Sequence, residues 1–225
     1  MSDTILECVE IEPAVTASHS VIWLHGLGAD GHDFEPIARE LALPPAAHVR
    51  FIFPHAPLRP ITLNGGYVMR GWYDIAGLQA PMRHDHAGLN ASELAIGNLI
   101  RREIERGVST RNIVLAGFSQ GGAVALQTAL RYPEPLAGII ALSTYLPCES
   151  DPTWSIAPAN QTTPILLAHG VMDNIIALPL AERALQYLRR HGCQVDWRTY
   201  PMAHSVCLDE IAAIGGFLHR CLDGE

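Results

Sequence analysis

One serine in this chain has a glycine two residues before it and another two residues after it, in Gly117-Phe118-Ser119-Gln120-Gly121. It lies between the apolar run Asn112 to Gly117 (NIVLAG) and a segment of helical period that begins at Gln120. A serine hydroxyl is a weak nucleophile at neutral pH, so it attacks a carbonyl only when a base removes its proton and an acid orients that base. At a sharp strand-to-helix turn the serine is held in strained backbone geometry, and a side chain at either flanking glycine would collide with neighbouring backbone. The expected chemistry is acyl transfer, with water as the final acceptor.

In such a setting the partners follow in the chain order serine, acid, histidine. The apolar run Pro164 to His169 (PILLAH) ends in Gly170-Val171-Met172-Asp173, and the run Val195 to Tyr200 (VDWRTY) leads into Pro201-Met202-Ala203-His204. Asp173 and His204 are therefore expected in loops at the carboxyl ends of their strands, on the same edge as Ser119. The competitors are placed worse. Asp196 sits within a strand and Asp209 at the start of a helix, His169 reads as a strand-end histidine with a structural hydrogen bond, and His191 and His219 fall at helix ends.

The oxyanion formed on an attacked carbonyl needs two preorganised donors. The N–H of Gln120, directly after the nucleophile, is one, and the second should come from the loop after an early strand. Leu24-His25-Gly26-Leu27-Gly28-Ala29-Asp30-Gly31 is that loop, with the N–H of Leu27 as the chosen donor. Its glycines also spell G-x-G-x-x-G, but a dinucleotide site requires an acid about 20 positions on, at the end of the next strand. Here that strand, Val49 to Phe53 (VRFIF), ends in Pro54-His55.

Short apolar runs alternate with helical stretches along the whole chain, which implies a mostly parallel central sheet with helices on both faces. The remaining strands are expected at His19 to His25 and Leu136 to Leu142. Helices are expected with Asn90 and Glu93 as a start signal and Gly107 as a stop, and over Gln120 to Arg131, Leu180 to Arg190 and Leu208 to Cys221. The stretch from Pro54 to His86 is too punctuated by proline and glycine for an ordinary connection and is expected to carry a binding surface. Without repeats or linkers, residues 1–225 read as a single domain.

Composition narrows the partners. A net charge of -8 with 15 Lys and Arg spread along the chain argues against nucleic acid. No apolar run approaches the roughly 18 residues of a membrane span, so integral membrane association is not expected. Five scattered cysteines (Cys8, Cys148, Cys193, Cys207, Cys221) fit reduced thiols in a cytoplasm. Arg83-His84-Asp85-His86 lacks a second cluster at ligand spacing and reads as a solvated loop rather than a metal site.

Taken together, HGLGADG, FPHAPLRPITLNGG, Trp72-Tyr73-Asp74-Ile75, GFSQGG, Leu142-Ser143 with Tyr145-Leu146-Pro147, HGVMD and YPMAHS resemble, in the same order, the landmarks of the carboxylesterase and acyl-protein thioesterase family of α/β-hydrolases. The resemblance implies an α/β-hydrolase fold without a large lid domain. It also implies a cofactor-free serine hydrolase of carboxylic esters, with thioesters as a further class, in which Ser119, Asp173 and His204 are the triad and Leu27 and Gln120 the oxyanion donors; with the ordered triad, the leading expectation is hydrolysis of short- to medium-chain acyl esters. Met69, Trp72 and Tyr145 are candidates for the wall of the acyl pocket, with plain core packing as the alternative for each. A protein acyl-thioesterase, a lysophospholipase and a catalytically silent binding module of the same fold are the alternatives, and a homodimer stays open. Two positions depart from the family pattern: Asn174-Ile175-Ile176-Ala177 lacks a proline, and Ala203 replaces a glycine before the histidine.

Overall fold

In the computed structural model, which describes residues 5–77, 85–147, 151 and 153–222, the apolar runs form strands and the helical-period segments form helices. The strands among these residues are β1 (Cys8–Ile11), β2 (His19–Leu24), β3 (Val49–Pro54), β4 (Leu58–Ile61), β5 (Tyr67–Arg70), β6 (Ile113–Phe118), β7 (Gly138–Leu142), β8 (Ile165–Gly170) and β9 (Val195–Tyr200). The α-helices are α1 (His86–Glu105), α2 (Gln120–Arg131), α3 (Leu178–Arg190) and α4 (Leu208–Leu222). This is an α/β-hydrolase fold without a large extra domain.

Seven strands form the central sheet in the order β1-β3-β2-β6-β7-β8-β9, and only β1 runs antiparallel to its neighbour. Alternate side chains enter two apolar layers. Ile22, Leu24, Ile113 and Leu115 pack with α1, α2 and α3, whereas Val21, Trp23, Val114 and Ala116 pack with α4 and with Phe34 and Leu41. Burial on both faces explains why the central strands read as unbroken apolar runs. The register pairs Leu24 with Gly117, Phe118 with Leu142, and Gly170 with Tyr200, so the loops that follow β2, β6, β8 and β9 leave from one edge.

Three elements differ from expectation. Strand β1 is absent from the sequence reading: its four residues are too short a run to stand out, and its pairing with β3 supplies the order that its pattern lacks. The segment after Pro54 contains a hairpin, β4 against β5, turned at Gly65 and Gly66 with φ of 65° and 82°. Helix α1 begins at His86 rather than near Asn90, because the Asp85 carboxylate caps it by accepting the Gly88 N–H at 2.9 Å. The polar stretch expected as a solvated loop thus ends in a helix cap, while Arg83 and His84 lie outside the described residues.

Cys8, Cys193, Cys207 and Cys221 are free thiols, and Cys148 lies outside the described residues. Among the described residues no helix is long and apolar enough to cross a membrane, and no three His, Cys, Asp or Glu side chains are grouped to hold a metal ion.

Candidate active site

Ser119 occupies the turn between β6 and α2 with φ 55° and ψ -121°, a conformation costly for any residue with a side chain. The surroundings hold it there. Its N–H donates to the Leu142 carbonyl at 2.8 Å, and its own carbonyl accepts the Thr144 hydroxyl at 2.7 Å. The flanking glycines are required by backbone contact: a Cβ at Gly117 would overlap the Gly121 carbonyl, and one at Gly121 would overlap the carbonyls of Leu24 and His25. Gln120 supplies the first amide of α2, which has no intrahelical acceptor and sits at the positive end of the helix dipole.

His204, in the loop after β9, brings Nε2 to 2.9 Å from the Ser119 hydroxyl oxygen and Nδ1 to 2.6 Å from Oδ2 of Asp173, in the loop after β8. An ionised carboxylate only accepts, so Nδ1 carries the proton and Nε2 offers its lone pair to the serine hydroxyl. The other carboxylate oxygen, Oδ1, accepts the N–H groups of Ile175 and Ile176 at 2.9 and 2.8 Å. Asp173 has its side chain fully buried, and these donors leave neither of its carboxylate oxygens without a partner. The ring of Phe118 packs 4.7 Å from that of His204, centroid to centroid.

The loop after β2 approaches the serine from the other side. Gly28 has φ 81°, open to glycine, and donates to the Arg70 carbonyl at 2.8 Å. Among the described residues no backbone carbonyl accepts the Leu27 N–H.

Two side chains whose contacts the sequence did not reveal hold the surroundings of Ser119. His25 donates from Nδ1 to the Gly26 carbonyl at 2.7 Å and accepts the Ala56 N–H at Nε2 at 3.0 Å. Burial pushes its pKa down to about 4, which keeps the imidazole neutral and able to accept. The Gln120 side chain accepts the Trp72 N–H at 2.8 Å and donates to the Tyr73 carbonyl at 2.7 Å, tying the turn at Ser119 to the segment after β5. A histidine ending a strand before Gly26, and a glutamine adjoining the serine, were the available signals.

A cavity of about 410 Å³ opens on Ser119 and His204 and is lined chiefly by Leu27, Leu63, Ile75, Tyr145, Ile175 and Ile176. Tyr145 thus lies on the wall, with its hydroxyl 2.7 Å from that of Tyr73. Trp72 and Met69 do not. Trp72 is fully buried one layer behind, where its indole N–H donates to the His25 carbonyl at 2.9 Å. The Met69 sulfur packs near Gly28 and accepts the Asn64 amide at 3.4 Å. Two wall positions that the sequence did not single out are Leu63, in the turn of the hairpin on which Met69 lies, and Ile75, which follows that hairpin. Elsewhere, Asp196 pairs with Arg198 and Arg220, and Asp209 lies in the first turn of α4.

A family model described as phospholipase/carboxylesterase matches residues 6–222. The chain is 41% identical to acyl-protein thioesterase 1 of Neurospora crassa over 221 residues, covering 92% of this chain and 88% of that protein. It is 34% identical to acyl-protein thioesterase 1 of Mycosarcoma maydis, over 99% of this chain and all of the other. The crystal structure of Zea mays acyl-protein thioesterase 2 superposes with a TM-score of 0.84 at 27% identity, covering 96% of this chain and 99% of that one.

Proposed function

The chain belongs to the phospholipase/carboxylesterase family, and from that premise we propose that it cleaves short- to medium-chain acyl esters with Ser119 as nucleophile, His204 as base and Asp173 as orienting acid. One observation carries the reading: hydroxyl, imidazole and carboxylate form an unbroken line of contacts of 2.9 and 2.6 Å beside an apolar cavity. As Ser119 Oγ bonds to the acyl carbon, His204 Nε2 takes the hydroxyl proton and the carbonyl π electrons move onto oxygen. The N–H groups of Leu27 and Gln120 stabilise that oxyanion. Its collapse breaks the ester bond, and His204 returns the proton to the departing oxygen, or sulfur for a thioester. Water then repeats the cycle on the acyl-enzyme.

Family membership makes the chain a hydrolase of ester or thioester bonds. A cavity near the lower end of the range for small-molecule pockets supports an acyl group of modest length. Acyl-protein thioesterase activity is the second reading, supported by the names of the relatives. The same proposal takes residues 1–225 as one domain working in a reducing compartment, supported by the free thiols.

The test is labelling with a fluorophosphonate. It should modify Ser119, and Ser119→Ala should lose about 10⁴- to 10⁶-fold in kcat. Modification of another residue would overturn the assignment. Comparing kcat/KM for butyrate esters, long-chain esters and matched thioesters separates the two readings.

A further inference from the structure

His169, the fifth residue of β8, takes no part in the chemistry proposed above, yet its side chain is fully buried beside Asp173. Its Nε2 lies 2.8 Å from the Ile176 carbonyl, which can only accept, so Nε2 carries the proton. Nδ1 is then an acceptor, and among the described residues it has no hydrogen-bond partner. A buried unpaired nitrogen is a cost that an apolar residue of similar volume would avoid. The histidine is explained by what its one N–H does.

That N–H holds a residue with three attachments. The Ile176 carbonyl accepts from His169, its N–H donates to Asp173 Oδ1, and its side chain lines the cavity. Ile175, which also lines the cavity, donates to the same Oδ1. No proline restrains Asn174 to Ala177, so these side-chain contacts are what fix the loop. Nε2 of His169 also lies 3.5 Å from Asp173 Oδ2, the oxygen that His204 contacts.

We infer that His169 is a positioning residue that pins the loop from Asp173 to Ile176, so that the triad acid and the wall of the acyl pocket are held as one unit. The inference rests on the proposed roles of Ser119, Asp173 and His204. The charged or titratable groups facing His169 are Asp173 and His204 across the loop and Glu182 from α3, and burial draws its own pKa down, which keeps the ring neutral. In that state the single N–H stays on Ile176.

The experiment compares His169→Met, which fills the volume without a donor, with His169→Gln, which keeps one. Both are assayed on butyrate and octanoate esters from pH 5 to 9. The methionine variant should lose about 10- to 100-fold in kcat, the scale of a misplaced catalytic group. Its octanoate-to-butyrate ratio of kcat/KM should move, and the acid limb of its pH profile should shift. The glutamine variant should recover most of each. A methionine variant with wild-type kcat, ratio and pH profile, or a glutamine variant no better than methionine, overturns the inference.

Should the variants fail to fold, the imidazole nitrogens of the wild-type protein are followed by NMR. A neutral Nε2–H form is expected from pH 7 to 9, and an Nδ1–H form in that range overturns the inference. Fluorophosphonate labelling keeps the two proposals apart. Ser119 labelled with unchanged variant kinetics removes the role of His169 alone, whereas an unlabelled Ser119 in the wild type removes the reading beneath it.

Discussion

Around Ser119 the chain is fixed by backbone packed on backbone, while just past Asp173, from Asn174 to Ile176, it is fixed by side chains reaching across a loop. On the first side Gly117 and Gly121 leave no room for a Cβ, Ser119 is hydrogen-bonded through both its N–H and its carbonyl, and neighbouring Gln120, Trp72 and His25 are buried. On the second side Asp173 is buried, but Val171, Met172 and Ile175 around it are about half exposed. The roles proposed for Ser119 and for the N–H groups of Leu27 and Gln120 work over hydrogen-bond distances and tolerate little displacement, which backbone contact enforces. A pocket wall sets preference through apolar contact, and side chains can be exchanged there without disturbing the frame.

The contrast can be broken first at its rigid side. Gly121→Ala should destabilise the protein by more than about 3 kcal/mol, because the new methyl group meets two buried carbonyls that belong to the sheet edge. A melting temperature close to wild type would show that this turn can yield.

Acid should act next, and on the same side. His25 has a folded-state pKa of about 4 against an ordinary value of 6.5, so between those values the unfolded chain binds the extra proton. Stability from this group is complete above about pH 6.5 and is lost as pH falls toward 4, by roughly 3 kcal/mol in total. Denaturant titrations across that interval measure the slope, and NMR of the His25 ring should show it neutral until about pH 4.

Substitution of the wall should give a smaller effect of a different kind. Ile175→Ala should leave stability within about 0.5 kcal/mol of wild type, since the side chain is half exposed. It should lower kcat/KM for octanoate relative to butyrate by about fivefold, the scale of partial loss of an apolar contact. An equal loss on both esters would show that the wall and the chemistry are not separable at this position.

The smallest effect expected is a gain. Ala177 has φ -58° and ψ 136°, a backbone conformation that proline adopts without strain. Ala177→Pro should therefore stabilise by about 0.4 to 1 kcal/mol through the unfolded chain, sharpening the loop without touching its side chains. A loss of stability would mean that the Ala177 N–H is needed.

Much of the frame was legible because its signals are local. Helix α2 spans Gln120–Arg131 as expected, bracketed by the serine turn and Pro133, and β9 spans Val195–Tyr200 as expected. Parallel pairing then carries local information to long range: when β6, β8 and β9 run the same way, the loops after them share an edge. That is why Ser119, Asp173 and His204 could be expected together, and the structure brings them into a hydrogen-bonded line. Met69 and Trp72 show where this reasoning stops. An apolar residue in a punctuated segment can face a cavity or the core, and only the element packed over it decides. For Trp72 that element is the turn beside Gln120 and the end of β2, 47 or 48 residues away along the chain.

From its residues alone, this chain determined the order of β2, β3, β6, β7, β8, β9 and the four α-helices, the glycine-flanked turn and the edge at which Ser119, Asp173 and His204 leave the sheet. Those follow from periodicity, turn chemistry and strand direction, which act over a few residues at a time. The tertiary structure decided which tautomer His25 holds, where the Gln120 amide is spent, which side chains line the cavity and what His169 touches. Most of these are side-chain choices among partners on other elements, and a buried donor or acceptor takes whichever partner packing leaves within reach.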